Sequence, residues 1–355
     1  MSSDLHQHAI MKFLPPVLEG HDRSRFAVFV YATGGKADHC TEQVQALSDR
    51  FVSIQDPDGL AKRVRADGVD ILVDLSGHTM GLTFLALALK PAPVQVSWQG
   101  VLSTTGLATM DYFIGDAHMP LPGSECLFSE TVYRLPRPFC CYRPSADVAL
   151  AAAPSEDHTR ITFGCFNNPQ KITRDVVRLW AAILHLAPQA CLLLKYSQLE
   201  DPAVHGHLRD WFLEDGMPAE RVLFEDASPP VEYLSSYSRI DVALDPFPYN
   251  GLTITLDALW MGVPVVTLAG RLAVQRAGVS VLTAMGLQGL IASNPEDYVK
   301  LALRMAGIAR QSPGLRHRIR EALQASPLMD EGGLVQSLEE AYREMWRSWC
   351  GRRMF

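Results

Sequence analysis

Short apolar runs rich in β-branched and aromatic residues recur along this chain, and segments with helical spacing separate them. Residues 26–31 (FAVFVY), 69–75 (VDILVDL), 94–98 (VQVSW) and 112–114 read as strands bounded by turn residues. Helix-spaced segments such as 60–66 lie between them. A second series follows, with strands at 161–163, 190–195 (ACLLLK), 222–224, 240–244 and 263–268 and a helix over Arg174–Leu186. Strands alternating with helices imply an α/β chain with mainly parallel sheets, because parallel strands need crossover connections. Residues 145–159 (SADVALAAAPSEDHT) carry little periodicity and separate the two series.

The expected organisation is therefore two Rossmann-like domains facing a central cleft. The N-terminal lobe is 1–148, the linker 149–159 and the C-terminal lobe 160–333. At 334–355 a terminal helix follows, amphipathic because Leu334, Leu338, Ala341, Tyr342, Met345 and Trp349 share a face. A length of 355 residues fits two domains.

Charge and cysteine usage exclude several classes. With 32 basic against 39 acidic residues the net charge is −7, and no basic stripe suggests nucleic acid. No apolar run reaches membrane-spanning length, and residues 1–6 lack the basic and apolar regions of a secretory signal. Seven cysteines, scattered and with Cys140-Cys141 adjacent, suit reduced thiols in a cytoplasmic protein rather than a disulfide framework. Gly-x-Ser-x-Gly, the P-loop and G-x-G-x-x-G are all absent. The pairs His6/His8 and His205/His207 lack further ligands at metal spacing, so no metal site is expected.

Three segments have the composition of a ligand site. In 241–267 (DVALDPFPYNGLTITLDALWMGVPVVT) a strand leads through Asn250-Gly251 into a helix. Unpaired N–H groups and the hydroxyls of Thr253 and Thr255 there suit a phosphate, and Asp257 suits ribose hydroxyls. An ordinary helix capped by Thr253 or Thr255 explains the same residues. In 163–172 (FGCFNNPQKI), Asn168 follows a strand and Lys171 precedes a helix, where its charge would neutralise a diphosphate; a solvated loop lysine is the plain alternative. The third comprises Gly77-His78-Thr79 and Gly100 with Thr104-Thr105-Gly106, polar loops at strand ends. His78 there is either a proton carrier or a structural histidine.

Taken together, these strings resemble the catalytic region of the O-GlcNAc transferases, the bacterial and SPINDLY-type members above all. The resemblance rests on Ser2-Ser3-Asp4 with His8, Val73-Asp74-Leu75-Ser76-Gly77-His78-Thr79, and Pro91-Ala92-Pro93-Val94-Gln95-Val96-Ser97-Trp98 with Thr104-Thr105-Gly106. It continues through Met110-Asp111-Tyr112, Phe166-Asn167-Asn168 with Lys171-Ile172-Thr173, and Asp245 to Asn250-Gly251. The last string is Ala258-Leu259-Trp260-Met261-Gly262-Val263-Pro264-Val265-Val266-Thr267. It implies a two-domain glycosyltransferase fold of the B type and an inverting, metal-independent transfer of GlcNAc from UDP-GlcNAc to Ser/Thr hydroxyls of proteins. UDP-GlcNAc is then a substrate, and no cofactor is implied. The resemblance places Lys171 and Thr253 at the phosphates, Asn168 at the diphosphate and Asp257 at the ribose. It places Tyr233 at the base, where the family has a stacking histidine, and His8 in the cleft with a proton-transfer role.

The chain also departs from the family. The strand preceding Ser-Ser-Asp and the tetratricopeptide repeats are missing. Ile254 replaces a threonine, Ser236 an arginine, and Val101-Leu102-Ser103 a Tyr-Pro-Gly. Two alternatives therefore stay open beside the transferase: a non-catalytic remnant, and a transferase using another UDP-sugar or acceptor.

Overall fold

The computed structural model describes residues 1–79, 81–154 and 160–352. Part of the expected linker, 155–159, and the end of the expected terminal segment, 353–355, lie outside the described residues. Two compact units form. Unit 1 comprises Met1–Arg143, Leu272–Val274 and Pro327–Phe355; unit 2 comprises Pro144–Arg271 and Gln275–Ser326. This partition is not the one read from the sequence, because the chain returns to unit 1 for its last helix.

Unit 1 holds β1 (Phe29–Ala32), β2 (Arg50–Ser53), β3 (Ile71–Asp74), β4 (Val94–Ser97), β5 (Tyr112–Gly115) and β6 (Thr131–Arg134). Every pairing is parallel, β1 with β2 and β3-β4-β5-β6 in that order. Met1 and Ser2 bridge the two sheets. Ser2 N–H donates to Tyr31 O (3.1 Å) and Ser2 O accepts from Thr33 N–H (2.9 Å). On the other side the Met1 amino group donates to Val73 O (2.9 Å), and Met1 O accepts from Leu75 N–H (3.0 Å). Met1 and Ser2 are thus stitched to the strands on both sides. Behind them a groove of about 440 Å³ runs between β1 and β3, lined by Val30, Tyr31, Ile71, Val73, Val17 and Trp346.

The terminal helix runs from Glu331 to Arg352 and buries Leu334, Val335, Leu338, Ala341, Tyr342 and Met345. It packs on the helix Leu14–Gly20 and on β4. Trp349 is half-buried and stacks on Trp346, ring centroids 4.8 Å apart. Among the described residues no helix is long and apolar enough to cross a membrane. All seven cysteines are free thiols.

Unit 2 contains β7 (Thr162–Cys165), β8 (Cys191–Lys195), β9 (Val222–Glu225), β10 (Val242–Leu244), β11 (Val265–Leu268) and β12 (Ile291–Ala292). They form one parallel sheet in the order β12-β11-β10-β7-β8-β9. Helix Arg174–Leu186 starts where Thr173 caps the Val176 N–H, and it buries Val176, Val177, Trp180, Ala181, Ile183 and Leu184. Each large apolar side chain buried this way contributes about 1.5–3 kcal/mol. Strand order reverses between β7 and β10. At such a switch point the connecting loops diverge to opposite faces and leave a crevice at the carboxyl ends of the strands.

Candidate donor-binding site

Both loops leaving that switch point carry the residues singled out in the sequence. After β7 come Asn167, Asn168 and Lys171; after β10 come Asp245, Tyr249, Asn250 and Gly251. Asn168 is the N-cap of the turn Pro169–Lys171, its Oδ1 accepting from Gln170 N–H. This turn directs Lys171 across to the other loop. Its Nζ donates to Asn250 O (3.0 Å) and Asn167 Oδ1 (3.5 Å), and sits 4.2 Å from the centroid of the Tyr249 ring. Among the described residues no carboxylate forms a salt bridge with it. Burial lowers its pKa to about 8, partly opposed by the negative charge of Asp245.

The helix Thr253–Trp260 begins two residues after Gly251. Its N-cap is Leu252, and no side chain caps it. Neither Thr253 nor Thr255 is the N-cap. Thr255 is buried, and its hydroxyl donates back to Gly251 O (3.0 Å), whereas Thr253, also in the first turn, is half-buried. First-turn N–H groups lack intrahelical partners and carry partial positive charge, so an uncapped helix end beside a lysine favours an anion. Asp257 lies one turn further in and is buried.

Tyr233, on the helix Pro230–Ser236, completes this cluster. Its hydroxyl pairs with Tyr237 Oη (2.9 Å), Tyr237 donates to Ile254 O, and the rings of both lie against Phe166. Ser236 turns its hydroxyl to Glu232 O. Thus Asn168, Lys171, Tyr233, Asn250, Gly251, Thr253, Thr255 and Asp257 are gathered at one end of the unit 2 sheet.

The remaining sequence-derived residues belong to unit 1. His8 caps the turn Ala9–Lys12, Nδ1 accepting from Ile10 N–H (3.4 Å). Desolvation lowers its pKa, against a raising effect of Asp4 and a smaller lowering one of His6. His78 pairs Nε2 with Thr104 O (3.2 Å) and rests on Phe84, while Thr79 donates to Ser76 O. Thr104 and Thr105 donate their hydroxyls to the buried Glu130, which also accepts from Thr105 N–H (2.7 Å). Gly106 adopts φ +73°, open to glycine without strain.

Sequence reading missed Glu130 and Tyr249, and assigned no role to Asp245. The available signal for Asp245 was an acid placed between an apolar strand and a Pro/Asn/Gly turn. For Glu130 there was none, because its partners lie about 25 residues away.

The model of the family described as glycosyl transferase family 41 matches residues 1–141 and 154–338. A probable UDP-N-acetylglucosamine–peptide N-acetylglucosaminyltransferase SPINDLY from Solanum lycopersicum is 36% identical over 99% of this chain and 38% of its own length. The chain thus spans well under half of such relatives. A solved structure of a mutant O-GlcNAc transferase from Thermobaculum terrenum superposes with a TM-score of 0.91 at 39% identity, covering 99% of this chain and 68% of that one. A glycosyltransferase from Rickettsia africae, 10% identical with a TM-score of 0.59 and 93% of each chain covered, shares the fold. These matches establish the α/β, B-type glycosyltransferase fold read from the sequence.

Proposed function

The chain belongs to glycosyl transferase family 41, and from that premise we propose that it transfers GlcNAc from UDP-GlcNAc to Ser or Thr hydroxyls of proteins. The observation that carries this reading is Lys171 lying beside the uncapped start of the helix Thr253–Trp260. Transfer breaks the bond between the anomeric carbon and the diphosphate oxygen as the acceptor oxygen attacks from the opposite face, inverting the centre. Negative charge then accumulates on the departing UDP. A cation and helix N–H groups already in place stabilise it without having to reorganise. In this reading the protein supplies that stabilisation itself, with no metal role. Asp257 takes the ribose hydroxyls, and the flat ring of Tyr233 takes the base. In unit 1, the lowered pKa of His8 keeps its imidazole neutral at pH 7, the chemistry of a proton acceptor. Seven free thiols favour a cytoplasmic setting.

The reading is tested by incubating the chain with UDP-GlcNAc and a Ser/Thr peptide library. UDP release and an N-acetylhexosamine increment on the peptides, both lost in Lys171→Met, are expected. Release without peptide modification would point to another acceptor, and neither signal in a folded chain would refute the reading.

A further inference from the structure

Asp245 directly follows β10 at the switch point and is 1% exposed, yet no step above uses it. Its carboxylate is engaged from both sides. One oxygen accepts from Gly251 N–H (2.7 Å) and the other from the Thr267 hydroxyl (2.6 Å). Its backbone is held as well, N–H to Val266 O (3.0 Å) and O from the Tyr298 hydroxyl (3.0 Å). Two glycines leave the carboxylate its space. A Cβ on Gly278 would fall 2.5 Å from Thr267 Oγ1 and 3.0 Å from Asp245 Oδ2. One on Gly251 would fall 2.8 Å from Asn167 Oδ1 and 3.2 Å from Asp245 Oδ1.

We propose that Asp245 is the positioning residue of the donor site, fixing from below the Asn250–Gly251 turn that orients Lys171 and opens the phosphate-facing helix. This rests on the donor-site reading given above. The Gly251 N–H is fixed by the carboxylate, and the preceding carbonyl, Asn250 O, receives Lys171. Moving the turn therefore moves both phosphate-binding elements together. Electrostatics points the same way. With no anion bound, a half-buried ammonium and the positive end of a helix lie side by side, and Asp245 is the negative charge acting on Lys171. Its own pKa is pushed up to about 7 by burial, against the pull of Thr267, Gly251 and Lys171. An asparagine keeps the shape but loses the charge and one acceptor atom.

The experiment compares dissociation constants for uridine and UDP in the wild type, Asp245→Asn and Thr267→Val, with thermal melting to confirm folding. UDP affinity is expected to fall about 10–100-fold in Asp245→Asn, the equivalent of one lost charge-assisted hydrogen bond. Uridine affinity should stay within about twofold, since the base and ribose contacts lie elsewhere. Thr267→Val, which leaves the carboxylate intact, should shift the UDP-to-uridine ratio in the same direction by less. A ratio unchanged in both variants, with wild-type binding intact, overturns the role of Asp245 alone. If Asp245→Asn does not fold, Thr267→Val decides by the same ratio. Absence of UDP binding by the folded wild type overturns the donor-site reading and this proposal with it.

Discussion

Replacing Lys171 by methionine should separate binding from stability, in opposite directions. In the absence of ligand the Lys171 side chain is half-buried, and its desolvation lowers its pKa from 10.5 to about 8. At 1.36 kcal/mol per unit this corresponds to about 3 kcal/mol by which folding disfavours the charged form. The sign follows from proton counting. Between pH 8 and 10.5 the unfolded chain binds more protons at this lysine than the folded chain, so stability rises with pH there and carries the full penalty at pH 7. Methionine removes the penalty but leaves Asn250 O without its donor, a loss of about 1–2 kcal/mol. The net expectation at pH 7 is a gain of about 1–2 kcal/mol, seen as a melting temperature higher by about 2–8 °C. UDP affinity, by contrast, should drop about 10–100-fold with the loss of a charge-assisted contact to phosphate. Differential scanning fluorimetry and isothermal titration calorimetry on the same preparations read both. A variant that binds UDP as tightly as the wild type, or that melts several degrees lower, would refute the picture of a destabilising cation retained for the diphosphate.

Three further outcomes are expected. UDP affinity should decline as pH rises above about 8, where the free Lys171 loses its proton, and the slope of log K against pH should vanish in Lys171→Met; calorimetry from pH 7 to 9.5 checks this. Thr255→Val should cost about 1 kcal/mol in urea unfolding and change UDP affinity by less than about threefold, because the hydroxyl is already bonded to Gly251 O in the turn before the helix. An engineered four-residue Val/Ile extension joined to Met1 should enter the groove between β1 and β3. The backbones of Tyr31 and Val73 already meet Met1 and Ser2 there. It should raise the melting temperature above that of a Gly/Ser extension of equal length and slow amide exchange in β1 and β3. Equal melting temperatures would contradict the account of this groove.

Much of the fold was legible because buried strands have strong local signals. All five residues of β8 are buried, and its apolar run was read directly. Helix Arg174–Leu186 carried a cap and an apolar face and was read to the residue. By contrast, β2 and β6 went unread. Each ends its sheet with much of its surface half-buried or exposed, so neither needs an apolar run. The same division holds for the site. Lys171, Asn250 and Gly251 stood out because local turn and helix chemistry marks them. The internal use of Thr255 was invisible, since a hydroxyl four residues after a carbonyl reads alike whether it faces inward or toward a ligand. Glu130 and the grip of Asp245 on Thr267 depend on partners about 20 or more residues away, which spacing alone does not reveal.

The central claim, that UDP is held where the loops after β7 and β10 diverge, is most directly tested by hydrogen–deuterium exchange of the whole chain with and without UDP. The account predicts protection concentrated in residues 166–172 and 249–257, greatest at the start of the helix Thr253–Trp260. UDP binding that leaves those segments unprotected while slowing exchange elsewhere would contradict it.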